Sequence, residues 1–133
     1  MNVSYLIDTD WIIDHFNKIE KVTRKLEELA PQGLALSIVS LAELYEGIYY
    51  SRDPVLSEEA LKRFLAPNLV ILGIDERIYR IFGKERGRLR WQGRIIGDFE
   101  LLIASTCLYH NLTLFTNNAR HFEAVENLKI LSV

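Results

Sequence analysis

Short runs of consecutive apolar residues alternate along the chain with longer stretches in which apolar positions recur every three or four residues. Val3 to Ile7, Leu34 to Val39, Asn68 to Leu72, Leu112 to Phe115 and Leu128 to Leu131 are too short for helices and read as five buried strands. Between them, Trp11, Ile12, Ile13 and Phe16 keep helical spacing, with Thr9 or Asp10 as the cap. Ile19, Val22, Leu26 and Leu29 continue it until Pro31-Gln32-Gly33 breaks the pattern. Ser40-Leu41-Ala42-Glu43 opens another helix carrying Leu44, Tyr45 and Ile48. After a loop at Ser51 to Pro54, a further helix runs from about Ser57 to Leu65. From Asp75, the positions Ile78, Ile81, Phe82 and Leu89 mark a long helix, followed by a loop from Trp91 to Gly97. Phe99, Leu102, Ile103 and Cys107 then predict a helix with one buried face, with Asp98 as N-cap and Glu100 in its first turn. Thr116 to Phe122 turns from the fourth strand into a short helix. Strands alternating with helices predict an α/β fold: a parallel sheet of about five short strands with helices on both faces and functional loops at the strands' carboxyl ends.

Composition narrows the class. At 133 residues, residues 1–133 form a single domain, and 49% apolar content with seven Gly and three Pro supports a packed core. The one cysteine, Cys107, excludes an intramolecular disulfide, and no Cys/His spacing suits zinc. No basic start precedes an apolar run long enough for a signal peptide or membrane span, so the expectation is a soluble, cytoplasmic protein with no membrane partner. Net charge is −2, which by itself argues against nucleic acid. Yet residues 77–94 hold seven bases (Arg77, Arg80, Lys84, Arg86, Arg88, Arg90, Arg94) and the single acid Glu85, a local +6 that leaves −8 for the rest. Such segregation fits a polyanion-facing strip, or a solvated helix face.

The candidate chemistry lies in the acids. Asp8 follows the first strand, Glu43 sits about one turn past the second, Asp98 and Glu100 open the helix before the fourth, and Asn118 follows the fourth. In a parallel sheet all of these reach one edge. Converging carboxylates raise one another's pKa unless a cation neutralises them, and hard oxygen donors with room for water suit Mg²⁺ or Mn²⁺. Each residue also has a plainer reading. Asp8 can cap the first helix, Ser40-x-x-Glu43 matches a capping box, and Asn118 suits a turn. Arg120 and His121 read as surface residues, and His15 and His110 as structural. No Ser/His/Asp or Cys/His arrangement and no Gly-rich phosphate loop is present.

Four segments carry a family resemblance. Leu6-Ile7-Asp8-Thr9-Asp10 and Ser37 to Gly47 (Ser-Ile-Val-Ser-Leu-Ala-Glu-Leu-Tyr-Glu-Gly) resemble the first two motifs of PIN-domain proteins. Gly93 to Ala104 and Leu114 to Phe122 resemble the last two, and order, spacing and length resemble VapC-type toxins of toxin–antitoxin pairs. The resemblance spans essentially the whole chain. It implies a metal-dependent endoribonuclease acting on tRNA or ribosomal RNA, inhibited by a cognate VapB-type antitoxin and assembled as a homodimer. It also implies Asp8, Glu43 and the third-motif acid as metal ligands, with Asn118 supporting the site.

One position departs from the family pattern. Where Asp normally precedes the Leu-Leu-Ile-Ala run, this chain has Glu100, whose extra methylene shifts the carboxylate by about 1.5 Å. Either Glu100 binds the metal imperfectly, or Asp98 takes over, or the residue is an alteration that weakens a toxic protein. The expectation is a retained fold and site with reduced activity. Arg86, Arg90 and Arg94, four residues apart, are candidates to grip RNA, unless Gly87 and Gly93 interrupt the helix. Trp91 is a candidate to stack on an unpaired base, although core packing is the commoner fate of Trp. Tyr45, Ile48, Tyr49, Leu56, Leu61, Phe64 and Leu65 supply more apolar surface than one short helical hairpin needs, part of it for the core and the rest for a groove that accepts an antitoxin helix or strand. Two rivals share these features: a catalytically weak RNA-binding regulatory module, and a DNA-directed or flap nuclease using the same acids. A purely structural protein has no need of converging acids.

Overall fold

Tyr5–Ile7 forms β1, the central strand of a five-stranded sheet in the computed structural model, which describes residues 2–65 and 69–132. Its neighbours are β2 (Leu34–Ser37) and β4 (Thr113–Phe115), and β3 (Leu69–Leu72) and β5 (Lys129–Leu131) form the edges. Every pairing is parallel. The predicted sheet is therefore present, with strands a residue or two shorter than the apolar runs. Asn68, assigned to the third strand from the sequence, lies outside the described residues.

Parallel neighbours need crossovers, and here the crossing helices cover both faces. Beneath one face pack α1 (Thr9–Phe16), α2 (Glu20–Leu29), α3 (Ile38–Tyr50) and α4 (Pro54–Leu65). The other is covered by α5 (Glu76–Trp91), α6 (Asp98–His110) and the single-turn α7 (Ala119–Phe122). Strand side chains alternate between the two cores. Leu6, Ala35 and Leu114 face α5 and α6, whereas Ile7, Leu34, Leu36 and Phe115 face α1 to α4. Both faces are buried, which is why the strands read as unbroken apolar runs instead of alternating patterns.

The helix boundaries depart from the sequence pattern in four places, each for a local reason. The helical spacing from Trp11 to Leu29 is divided between α1 and α2. Lys18 takes a left-handed φ of 60°, and the amides of Lys18 and Ile19 close back on His15 and Asp14. Ile13, Phe16 and Ile19, which kept the period running, are exposed. Strand two ends at Ser37, whose hydroxyl accepts from the Val39 amide at 3.1 Å and caps α3, so the β-branched pair Ile38-Val39 belongs to the helix. α4 begins at Pro54 rather than near Ser57, with Asp53 accepting from the Leu56 amide and proline in the first helical position. In α6 the N-cap is Gly97, not Asp98, and Phe99 is 51% exposed instead of lying on the buried face. That face is made by Leu101, Ile103, Ala104, Ser105 and Cys107.

Gly33 lets the chain enter β2. It holds φ +89° where an added Cβ would strike the backbone of Asn2 and Val3, and its carbonyl receives the Ser4 and Tyr5 amides. Trp11 stacks on Phe115 at 4.7 Å between ring centroids, both wholly buried, so α1 is fastened to the strand beside β1. Phe115→Ala should lower unfolding free energy by about 3–5 kcal/mol. Urea denaturation checks this; a loss below about 1 kcal/mol would mean the contact is not a core anchor.

Candidate active site

The chain leaves β1 toward β2 and β3 on one side and returns through β4 and β5 on the other, so the order of strands reverses between β1 and β4. In open parallel sheets the crevice beyond the carboxyl ends at that reversal is the ligand site. Register places Ile7 opposite Phe115, and the Asp8 amide donates to the Phe115 carbonyl at 2.8 Å. The next residue on each strand, Asp8 and Thr116, therefore meet: the Thr116 hydroxyl donates to Asp8 Oδ2 at 2.8 Å in a buried contact. The other Asp8 oxygen accepts from the Thr9 amide at 2.9 Å. Asp8 is thus the cap of α1, the plainer role the sequence also allowed it in place of Thr9 or Asp10, and it also faces the crevice.

Glu43 has no capping-box partner. With Ser37 as the cap, Ser40 lies inside α3 and Glu43 falls in the second turn, where Oε1 accepts from the Thr9 hydroxyl at 2.8 Å. Glu100 sits in the first turn of α6. One oxygen accepts from the Gly97 amide at 3.3 Å, and the other lies 2.7 Å from His121 Nδ1. Asn118 donates its side-chain amide to Asp10 Oδ2 at 2.9 Å, and the Asn117 amide reaches the same oxygen at 3.3 Å. Asp8, Glu43, Asp98, Glu100 and Asn118 all line one open cavity of about 600 Å³.

The five are not equivalent. Asp98 is 80% exposed and held by Arg86, whose guanidinium also donates to the Ile96 carbonyl at 2.8 Å. This side chain of Arg86 is only 17% exposed and lies over the Phe82 ring, so Arg86 braces the α5–α6 loop and is withdrawn from the basic strip. Arg77, Arg80 and Arg88 are also paired, with Asp75, Glu76 and Glu85 respectively. Lys84, Arg90 and Arg94 form no ion pair among the described residues. α5 runs unbroken through Gly87 but ends at Trp91, and Gly93 turns at φ +66°, so Arg94 is not in phase with Arg86 and Arg90. Trp91 is not core: it is 92% exposed.

Sequence reasoning missed four participants. Thr9 orients Glu43 and Thr116 orients Asp8; only their positions immediately after Asp8 and after β4 could have signalled it. Asp10 receives the Asn117–Asn118 turn, and His121, read as a surface residue, is the partner of Glu100. An apolar cleft of about 310 Å³ adjoins the acids, sharing Ile13 and Glu43 with their cavity. Of the residues expected to form a groove, Ile48 and Leu61 line it, joined by Ile13, Phe16 and Leu44. Phe64 instead packs edge-on against Phe16, and Tyr49 and Leu56 are exposed outside it.

Burial dominates the electrostatics. It raises the Asp8 carboxyl above its ordinary range against the opposing hydrogen bonds, and the Glu100 charge adds to the rise. Burial and then the Asp8 charge push Asp10 up to about 7. Glu43 is raised by burial and by the charges of Asp8 and Glu100. Oδ1 of Asp10 is buried with no partner. An all-oxygen donor set with mutually raised carboxyls fits a hard divalent cation. Among the described residues, however, no three acidic, His or Cys side chains surround one point closely enough to hold an ion. Asp8 and Glu43, linked through Thr9, suit an ion that keeps most of its water, as Mg²⁺ does.

These shifts carry a sign for stability. Folded Asp10 keeps its proton to about pH 7, whereas an unfolded Asp loses it near about pH 4. The native state binds more protons in that window, so stability falls as pH rises through it, with Asp8 and Glu43 acting in the same direction. In EDTA the thermal midpoint should drop between about pH 4 and about pH 7, and Asp10→Asn should flatten the drop. A variant that tracks the parent at every pH would remove Asp10 from this balance.

Comparison with known proteins agrees with the fold. The PIN domain family model matches residues 5–128. Ribonuclease VapC2 of Rickettsia felis is 34% identical over 126 residues, covering 93% of each chain. Ribonuclease VapC1 of Methanocaldococcus jannaschii is 35% identical over 121 residues, 91% of this chain and 80% of that one. Among solved structures, VapBC2 from Rickettsia felis bound to a promoter DNA fragment superposes with a TM-score of 0.90 at 32% identity over 98% of both chains. VapBC-1 from nontypeable Haemophilus influenzae gives 0.86 at 28% identity, again over 98% of both. Among the described residues no helix is long and apolar enough to cross a membrane. By sequence and fold alike, the chain belongs to the PIN-domain family, among its VapC-type members.

Proposed function

We propose that this chain is a metal-dependent endoribonuclease of the toxin class, restrained by a VapB-type antitoxin. The observation that carries the proposal is the cavity at the reversal of strand order. There Asp8, Glu43 and Glu100 line one cavity, with the Asp8 and Glu43 carboxyls each raised by burial and by the Glu100 charge. The relatives named above are called ribonucleases, and the two solved structures named above are VapBC structures.

In this reading Asp8 and Glu43 would hold Mg²⁺ or Mn²⁺, and Glu100 would join them on release from His121 and the Gly97 amide. A bound divalent ion supplies a water of lowered pKa and neutralises charge on the phosphoryl group. Thr9 and Thr116 keep Glu43 and Asp8 in place, which lets two buried carboxylates approach without the turns that carry them opening. Asn118, tied to Asp10, presents its remaining amide surface at the cavity wall. Asp98 is excluded from the ligand set because Arg86 neutralises it in solvent. Glu100 therefore carries the third-acid role alone, from a position set by His121, and reduced turnover follows from that displaced carboxylate. Of the three arginines expected to grip RNA, Arg90 and Arg94 have no ion-pair partner among the described residues and steer RNA, and the apolar cleft beside Glu43 accepts the antitoxin segment. A homodimer is proposed from the family likeness; a strict monomer in sedimentation at micromolar concentration would remove it.

Incubation of a tRNA and ribosomal RNA pool with Mg²⁺ or Mn²⁺ should give discrete cuts that EDTA and Asp8→Ala abolish. Glu100→Asp should increase the cutting rate, by up to about 100-fold if the displacement is near 1 Å. Unchanged cutting by Glu100→Asp would end the attenuation account, and cuts that survive Asp8→Ala would end the metal-site account. Preference for a DNA flap over structured RNA would favour the rival nuclease reading.

A further inference from the structure

The acid cavity does not end at Glu100. A second open trough of about 420 Å³ shares Gly97, Glu100 and His121 with it and continues between the α5–α6 loop and α7. Arg94 and Ile95 line it from the loop, and Arg120 lines it from α7. Both arginines are exposed, and neither guanidinium has an ion-pair partner among the described residues. Glu123 and the shared Glu100 are acids of the same trough, so two free guanidinium groups share it with two carboxylates, of which Glu100 is already engaged by His121. Ile95 is 96% exposed, an apolar surface that the core does not use. The α5–α6 loop that carries Arg94 and Ile95 is held in place by Arg86, through the Ile96 carbonyl and Asp98, so these residues stand on a braced segment.

We propose that this trough is a subsite for unpaired RNA flanking the cleaved bond: Arg94 and Arg120 grip a phosphate from its two sides, and Ile95 takes the adjoining base. The proposal rests on the ribonuclease reading for its link to cleavage, but not for binding. A planar guanidinium can donate two N–H groups to the non-bridging oxygens of a phosphodiester, and two such groups on separate elements can hold one phosphate between them. A trough that opens directly onto the acids delivers the neighbouring phosphate to them. An unpaired strand is specified because a base can turn onto Ile95 only when it is not stacked in a duplex.

The test measures binding of a short fluorescein-labelled oligouridylate in EDTA, where no metal-dependent cutting occurs, across a series of salt concentrations. Arg94→Ala and Arg120→Ala should each reduce the slope of log affinity against log salt, and the double variant should reduce it by about 0.7 in all, the share of one phosphate on a single strand. Arg80→Ala, on the exposed face of α5 and paired with Glu76, should leave the slope unchanged. Ile95→Ser should weaken binding at every salt concentration without altering the slope. A slope unchanged in both Arg94→Ala and Arg120→Ala would overturn the subsite, whether or not the protein cuts RNA. Equal affinity for a fully paired RNA duplex would overturn the unpaired-strand assignment. Slopes that fall as expected, in a protein that cuts no RNA with Mn²⁺, would support the binding site while overturning the ribonuclease reading.

Discussion

The buried junction between the ends of β1 and β4 is the contact on which the rest of the structure depends. Parallel pairing in one register brings Asp8 and Thr116 side by side, and the 2.8 Å hydrogen bond between them closes the sheet at the point where strand order reverses. A carboxylate taken from water without such partners costs several kcal/mol. Here the Thr9 amide and the Thr116 hydroxyl serve one oxygen each and leave further lone pairs free. Trp11 stacked on Phe115 directly below makes the same junction part of the core. The site is therefore built on the least deformable part of the fold.

That arrangement concentrates negative charge in a place that disfavours it. Asp8, Asp10 and Glu43 are all raised, and burial is the leading cause in each. The chain tolerates this through short-range donors: Thr9 for Glu43, Thr116 for Asp8, the Asn117–Asn118 turn for Asp10, and His121 for Glu100. Asp98 is treated differently. Paired with Arg86 in solvent, it helps brace the loop that borders the cavity. Two acids two residues apart thus do separate work, one holding a loop and the other facing the crevice.

Glu100 shows how a longer side chain is accommodated. Its carboxylate reaches the Gly97 amide at the start of α6 and His121 on α7, a pair of contacts that holds it at the rim. The same residues, Gly97, Glu100 and His121, line both the acid cavity and the trough beyond it. The departure from the family pattern therefore sits where the acid cavity meets the trough that carries Arg94 and Arg120.

Much of this was legible in the residues themselves, because apolar runs bounded by turns mark buried strands and acids placed after strands must reach one edge of a parallel sheet. The alternating α/β order, the sheet, and the gathering of Asp8, Glu43, Asp98, Glu100 and Asn118 around one cavity all follow from that pattern. What periodicity could not reveal was which apolar residues face solvent. Ile13, Phe16, Ile19 and Phe99 kept helical spacing while exposed, so one helix was read where Lys18 makes two, and Phe99 was assigned to the core. Ser40 and Ser37 both suit a cap, and only the end of β2 decides between them, which moved Glu43 from a capping box to Thr9. Likewise the sequence counts seven bases in a strip, but pairing across elements withdraws Arg86 and leaves Arg94 and Arg120 to face one trough. Local pattern sets which segments form and roughly where they are buried; partners distant in sequence, chosen by the sheet register and helix packing, decide what each charged side chain is free to do.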